Sequence, residues 1–477
     1  MQKNRFAFCI LSILFLVQKN YGQTGKNIAT VVNNTTYKVA KNPPIKSVLR
    51  INPSNTRYFT DATGRTIYLT GSHTWSNVLD MTGPNGHQDG RKNTFLDWIE
   101  AYGHNFTRLW AFENDGFVFK DVEPQAYMRT GPGMTTDGKL KYDLTRFNQK
   151  YFDRLKSKVS AAQKRGIYVS VVLFGHSGNL KGATYFKKEN NINEIDGDPD
   201  NDGYAIETRQ LKVPTVTAIQ NAYVKKIIET VNSFDNVLYE IACESDLTTT
   251  EWQYHFIHLI REYEKTFSKQ HLIGMSSDGG YGPGDDTKRL FDSPADWIAP
   301  GWDNDKTSSY MTNPPDATGE KIIMIDTDHL WGVGGDSKWV WKTFTRGMHS
   351  SYMDPYTELD PEATLRVSQG QFDSARIAMG QTLRLANRTH LSAMAPHNEL
   401  SSSSFCLANP GKEYIAYLPE GGAVTVDLSA TKGKIKVEWI EPVSGKTVKD
   451  QTIAGGNKTQ FNSPFSGDAV LHILKIK

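Results

Sequence analysis

The feature that most constrains this chain is an alternation. From about Thr66 to Asn387, short runs of β-branched and aromatic residues take turns with stretches whose apolar residues recur every three or four positions. Repeated βα units around a parallel sheet produce this pattern, because each strand is buried on both faces and each helix on one. The strand candidates are TIYLT (66–70), NFTRLWA (105–111), IYVSVVLF (167–174), NVLYEIAC (236–243), HLIGMS (271–276), DWIA (296–299), KIIMID (321–326) and MHSSYM (348–353). Among the intervening stretches, Phe152, Leu155, Val159 and Ala162 keep helical spacing up to Gly166. Val216, Ile219, Tyr223, Val224, Ile227, Ile228 and Val231 do the same more strongly. Eight strands followed mostly by helices predict a (β/α)8 TIM barrel over 45–390, with a doubly wound sheet as the competing architecture.

Beyond Leu391 the texture changes. IAYLP, AVTVDL, KIKVEWI and AVLHILKI are short strands between Gly, Pro and Ser turns, which predicts a small C-terminal antiparallel β-sandwich over 391–477. At the other end, Lys3 and Arg5 precede an apolar run from Phe6 to Val17, as in a signal peptide. The expected division is a signal peptide at 1–22, an N-terminal extension at 23–44, then barrel and sandwich. Export to the periplasm or beyond follows, without a membrane span. Lys and Arg number 54 against 52 Asp and Glu, so no charge excess draws the chain to nucleic acid. Cys243 and Cys406, the cysteines left after leader removal, are far apart, which rules out a disulfide scaffold. The oligomeric state is not legible.

In such a barrel the active site forms at the C-terminal ends of the strands, so polar residues there are the candidates. They are His73 and Trp75 after the first strand, Arg108, Trp110 and Glu113 at the second, and His176 after the third. Glu244 follows the fourth and Trp302 the sixth; Asp326, Asp328, His329 and Trp331 end the seventh, and Asp354 and Tyr356 the eighth. A carboxylate half dry at a barrel mouth has the raised pKa a general acid needs, which fits Glu244. A second carboxylate at Asp326 or Asp328 completes the minimum equipment for glycoside hydrolysis: one group protonates the leaving oxygen, the other attacks carbon or activates water. Acyl transfer is disfavoured, since no G-x-S-x-G elbow occurs. Trp platforms beside His, Asp and Arg suit the apolar faces and hydroxyls of sugars. Trp339 and Trp341 fall inside a predicted helix and read as core.

These residues resemble a family. NVLYEIACES is similar to the acid/base strand of clan A glycoside hydrolases, and TRLWAFE to that clan's second strand with its site-facing Arg. In order, GSHTWSN, NFTRLW, NVLYEIACES and IDTDHLWG resemble apiosidase-like barrels, secreted enzymes of polysaccharide-degrading bacteria; LANPGKEYIAYLPEGG resembles the start of their collagen-binding-type sandwich domain. The resemblance covers roughly 45 to 477 and implies a secreted glycosidase acting on plant or algal polysaccharide or its oligosaccharides. It implies no required cofactor. Cys243 stands where the clan has an Asn that contacts the sugar 2-hydroxyl, and an Asp stands where it has the Glu nucleophile. The shorter side chain leaves retention or inversion open, with retention the family's course. Spacing does not choose between Asp326 and Asp328.

The third βα loop carries NEIDGDPDNDGYAIE. From Asp198 it matches the D-x-D-x-D-G calcium pattern through Gly203, but Arg209 falls where the bidentate Glu belongs. From Asp196, Glu207 takes that twelfth place but Asn201 replaces the turn Gly. Asp196, Asp198, Asp200, Asp202 and Glu207 are therefore candidate ligands of a structural calcium, against a solvated loop. Two other function classes compete: a metal-dependent hydrolase using His73, His176, His329 and Asp328, and a non-catalytic carbohydrate- or collagen-binding protein. Long loops after strands one, three and six suggest a walled, exo-acting pocket.

Overall fold

The computed structural model describes residues 41–74, 94–110, 123–175, 184–245, 247–277, 286–301, 309–332, 334–354 and 372–476. The leader, most of the N-terminal extension, and Trp75, Glu113, His176, Trp302 and Tyr356 lie outside them, as do parts of the loops on which exo action was argued.

Eight parallel strands form one sheet: Thr70–His73, Phe106–Trp110, Tyr168–Phe174, Val237–Ala242, Ile273–Ser276, Trp297–Ala299, Ile322–Asp326 and His349–Met353. From the second to the eighth each pairs with the next in chain order, and the eighth pairs back onto the first. Asn105 closes the ring between strands one and two. Its backbone N donates to the Thr70 carbonyl at 3.1 Å, and the Thr70 N donates to its side-chain oxygen at 2.9 Å. The architecture is a (β/α)8 barrel with an antiparallel sheet domain at its C-terminus. The helix Pro214–Val231 buries Val216, Tyr223, Val224, Ile227, Ile228 and Val231 against the barrel wall; Gln149–Gln163 does so with Phe152, Leu155, Val159 and Ala162.

Two departures from expectation bear on the site. The first barrel strand is Thr70–His73, not 66–70; Thr66–Ile67 belongs to a small antiparallel sheet with Phe59–Thr60 and Arg50–Ile51. The sequence TGSH has no β-branched run to announce it. Gly71 is there because the Phe106 carbonyl oxygen would lie 2.1 Å from any Cβ. The second departure is a hairpin, Tyr127–Met134 with Leu140–Phe147, inserted between strand two and its helix.

The C-terminal domain has a six-stranded antiparallel sheet faced by the pair Ala423–Asp427 and Lys458–Asn462. The large sheet is apolar on both sides. Tyr414, Ala416, Leu471 and Ile473 fill the core beneath the small pair, while Ile415, Tyr417 and Val470, at the alternate positions, join the barrel's core. That is why EYIAYL (413–418) is buried throughout. Tyr417 stacks on Trp341, ring centres 6.1 Å apart. No helix among the described residues is long and apolar enough to cross a membrane. Cys243 and Cys406 are free and buried.

Candidate active site

The barrel interior is layered, and period two places the charge. Phe106, Tyr168, Leu238, Trp297 and Met324 point into an apolar floor. Two residues further along four of these strands stand Arg108, Ser170, Glu240 and Asp326; His73 follows Gly71 and Ser276 follows Gly274 at the same spacing. Gly274 makes room for the Trp297 indole, which a Cβ would meet at 2.0 Å. A polar layer therefore rests on the floor, all six members being 2% exposed or less.

Arg108 organises it. Its Nε and Nη2 donate to the two oxygens of Glu240 at 3.0 and 2.7 Å, a fork that only a planar guanidinium makes. Its Nη1 reaches Asp326 Oδ2 at 2.9 Å and Asp328 Oδ2 at 3.2 Å. Ser170 and Ser276 hydroxyls also donate to Glu240. His73 bonds through Nε2 to Asp326 Oδ1 at 2.9 Å, and its Nδ1 accepts from the Trp110 indole at 3.2 Å. Indole N–H only donates, so Nδ1 is unprotonated and the proton sits on Nε2. Burial opposes the charge of Asp326, but His73 and Arg108 outweigh it and hold its pKa well below the usual carboxylate range. Asp326 Oδ1 also accepts the Asp328 backbone N–H at 2.9 Å. Both Asp326 oxygens are thus occupied.

Above this layer the ends of strands four and seven meet. The Cys243 thiol lies 3.3 Å from Asp328 Oδ2 and 3.8 Å from His329 Nε2. Burial first, and then the Asp328 charge, push the thiol pKa well up, so it is a protonated donor to the carboxylate rather than a nucleophile. Asp328 Oδ1 takes no hydrogen bond among the described residues, unlike either oxygen of Asp326. Glu244, next to Cys243, is half-buried and has φ +49°, in the left-handed region that a non-glycine residue adopts only under constraint. Strain of this kind, on the order of 1–3 kcal/mol, gathers at functional positions.

The remaining candidates divide. Trp110 is buried, stacked on His73 and under the Arg108 guanidinium, so it supports the polar layer. Trp331 is half-buried at the mouth, its ring edge-on to Trp339. Asp354 ends strand eight, but Arg376 of the helix Asp373–Ala386 takes both its oxygens, at 2.8 and 2.7 Å, and it is 1% exposed. It braces strand to helix. Glu240 was not among the sequence candidates, because inside an apolar run it reads as part of the strand; its spacing of four from Glu244 is the signal that could have found it.

Cys243, Asp328 and His329 present donor atoms that could surround a metal ion. Arg108 already bonds the same Asp328 oxygen, and a second cation there would have to displace it. His73 cannot ligate without breaking one of its two hydrogen bonds.

Residues 80–279 match a family described as "Domain of unknown function (DUF6298)", and 394–473 match one described as "Putative collagen-binding domain of a collagenase". No curated protein matches the chain. Among solved structures, one named as a glycoside hydrolase superposes with a TM-score of 0.60 at 14% identity, over 91% of this chain and 99% of its own. A glycoside hydrolase family 5 protein from Bacteroides vulgatus superposes with a TM-score of 0.58 at 13% identity, over 91% and 95%. At these identities the likeness is one of fold. It extends through both domains, so the barrel with its appended sheet domain is an arrangement that these solved structures share.

Proposed function

We propose that this protein is an exported glycoside hydrolase acting on plant or algal polysaccharide or its oligosaccharides. The observation that carries the reading is the carboxylate pair at the barrel mouth. Glu244 stands strained at the end of strand four, beside a thiol that donates to Asp328 at the end of strand seven. Glu244 is the acid that protonates the leaving oxygen. Asp328 is the second carboxylate, because Asp326 has no oxygen to spare. The Arg108 guanidinium fixes the orientation of Asp328, and Asp326 in turn fixes Arg108. We take the course as retaining, by analogy with the clan that the strand motifs resemble, with inversion, which needs room for a water between the carboxyls, as the alternative. The leader-like first 22 residues support export, and the structural neighbours' names support a carbohydrate substrate.

The test is a panel of plant and algal oligosaccharides, with product anomers followed by NMR. Glu244→Gln should lose about 10²–10⁴-fold in kcat on the natural linkage. On an aryl glycoside whose leaving group needs no proton it should keep the first step, a burst of released phenol, while turnover stalls until azide is added as a nucleophile that needs no base. Asp328→Asn should lose both. Full activity of Glu244→Gln on the natural substrate would remove the mechanism.

A further inference from the structure

The acidic loop after strand three is not used by this chemistry, yet it carries an arrangement of its own. Carboxylate oxygens of Asp198, Asp200 and Glu207 all lie within 4.8 Å of one another. Asp198 and Glu207 are 8% and 9% exposed. Asp198 spends its oxygens on the backbone N–H groups of Asp202 and Gly203, closing the turn. Glu207 differs: its Oε2 is buried and accepts no hydrogen bond. The short 3-10 helix Ile206–Arg209 brings it there. A carboxylate oxygen taken out of water without a donor, on a side chain facing two other carboxylates, is costly for a fold to keep. The neighbouring Arg209 guanidinium lies over the Phe174 and Trp252 rings, 5.7 and 5.1 Å from their centres.

The geometry points to a calcium ion held by Asp198, Asp200 and Glu207. All three donors are hard oxygens. Ligands 2.3–2.6 Å from one calcium ion lie no more than about 5 Å apart, which accommodates this spacing, whereas magnesium gives up its water reluctantly and is rarely held by protein oxygens alone. The loop starts as D-x-D-x-D-G, but Glu207 closes it from the tenth place, which is why neither twelve-residue register fitted. Asp202 and Asp196 are not in the converging set; their Oδ1 atoms accept the backbone N–H groups of Tyr204 and Asp198. The ion would fasten a wall that continues to the active site, because Gln210 donates to Thr248, four residues past Glu244, at 2.7 Å.

The experiment uses the full mature chain stripped with EDTA, titrated with CaCl2 or MgCl2 by calorimetry and by thermal melting. Calcium should bind at one site and raise Tm by on the order of 5 °C, and magnesium should do much less. Glu207→Gln and the exposed-site variant Asp200→Asn should abolish the shift, while Asp202→Asn keeps it. Without calcium, Glu207→Gln should melt at or above wild type, since an unpaired charge has gone; a merely structural role for Glu207 predicts the opposite. No calcium-dependent heat or shift in wild type overturns the site, as does a shift that survives Glu207→Gln with circular dichroism unchanged. Neither readout depends on glycosidase activity.

Discussion

Two buried arginines show what separates a carboxylate cluster left open from a closed brace. Arg108, inside the barrel, and Arg376, between strand eight and the last barrel helix, each hold a carboxylate in a bidentate fork, Glu240 and Asp354 respectively. Each also bonds further carboxylates, and each lies over an indole, Trp110 for Arg108 and Trp98 for Arg376. The difference is in what remains. Around Arg376 the acceptors close on the helix: Asp373 Oδ1 takes Arg376 Nη1 at 3.0 Å and the Tyr102 hydroxyl. Around Arg108 one guanidinium serves three carboxylates, and Asp328, the outermost, keeps an oxygen for something else. Strand-end aspartates that look alike in sequence therefore do different things, according to whether the protein itself uses up their hydrogen-bonding capacity.

The comparison breaks most visibly at Arg108. Arg108→Lys keeps the charge but cannot make the fork to Glu240 and reach Asp326 and Asp328 together. With Asp328 misplaced by about 1 Å, kcat should fall roughly 10²-fold while the melting temperature drops modestly. The check is kinetics and melting on the same preparation; unchanged kcat would make Arg108 a brace like Arg376. Asp354→Asn sharpens the other side. Removing one partner of a buried pair costs roughly 3–5 kcal/mol, so Tm should fall by several degrees with kcat/KM per folded molecule unchanged. Should kcat fall as well, Asp354 belongs to the site.

The smallest effect lies at the join with the sheet domain. His472 Nε2 meets Glu413 Oε1 at 2.8 Å and its Nδ1 lies 3.6 Å from Glu438, with His390 on Glu413 and Arg388 on Glu438. Burial lowers the His472 pKa, but the two glutamates outweigh it and raise it; Glu413 is lowered, and Glu438 falls to about 2. The raised imidazole contributes stability fully below its unfolded value of about 6.5 and loses it as pH rises through the folded value. The lowered glutamates contribute above about 4.5 and lose it as pH falls through their folded values. The advantage of wild type over His472→Gln should therefore peak between about pH 4.5 and 6.5 and shrink in alkali. Glutamine keeps a donor toward Glu413, so only the charge is lost and the advantage should be on the order of 1 kcal/mol. Melting curves across pH 4–9 test it; an advantage that grows with pH would mean that the imidazole is held neutral.

The strands that carry β-branched runs, such as YVSVVLF and IIMID, were legible because burial on both faces writes itself into consecutive residues. TGSH was not, since a strand of four small or polar residues is held by its neighbours and by the approach of Phe106. The hairpin at 127–147 was missed for a related reason: MRTGPGM and LKYDLTRF lie partly on the surface and carry no long apolar run. Glu244 and Asp328 are candidates because of their places at strand ends. Whether Asp326 or Asp328 was the open carboxylate depended on His73, Arg108 and Trp110, which no local spacing connects to them.

What the chain determined by itself is whatever rests on neighbouring residues: the eightfold alternation, the change to short antiparallel strands near 391, and the polar residues at strand ends. These follow from periods of two and 3.6, which the backbone imposes on any few consecutive residues. Only the tertiary structure decided which charges were used up. Arg108 finds its partners 132, 218 and 220 positions away, and Glu207 reaches Asp198 and Asp200 through a turn that no twelve-residue register anticipates. Charges are assigned by distance in space, and that distance exists only once the barrel has closed.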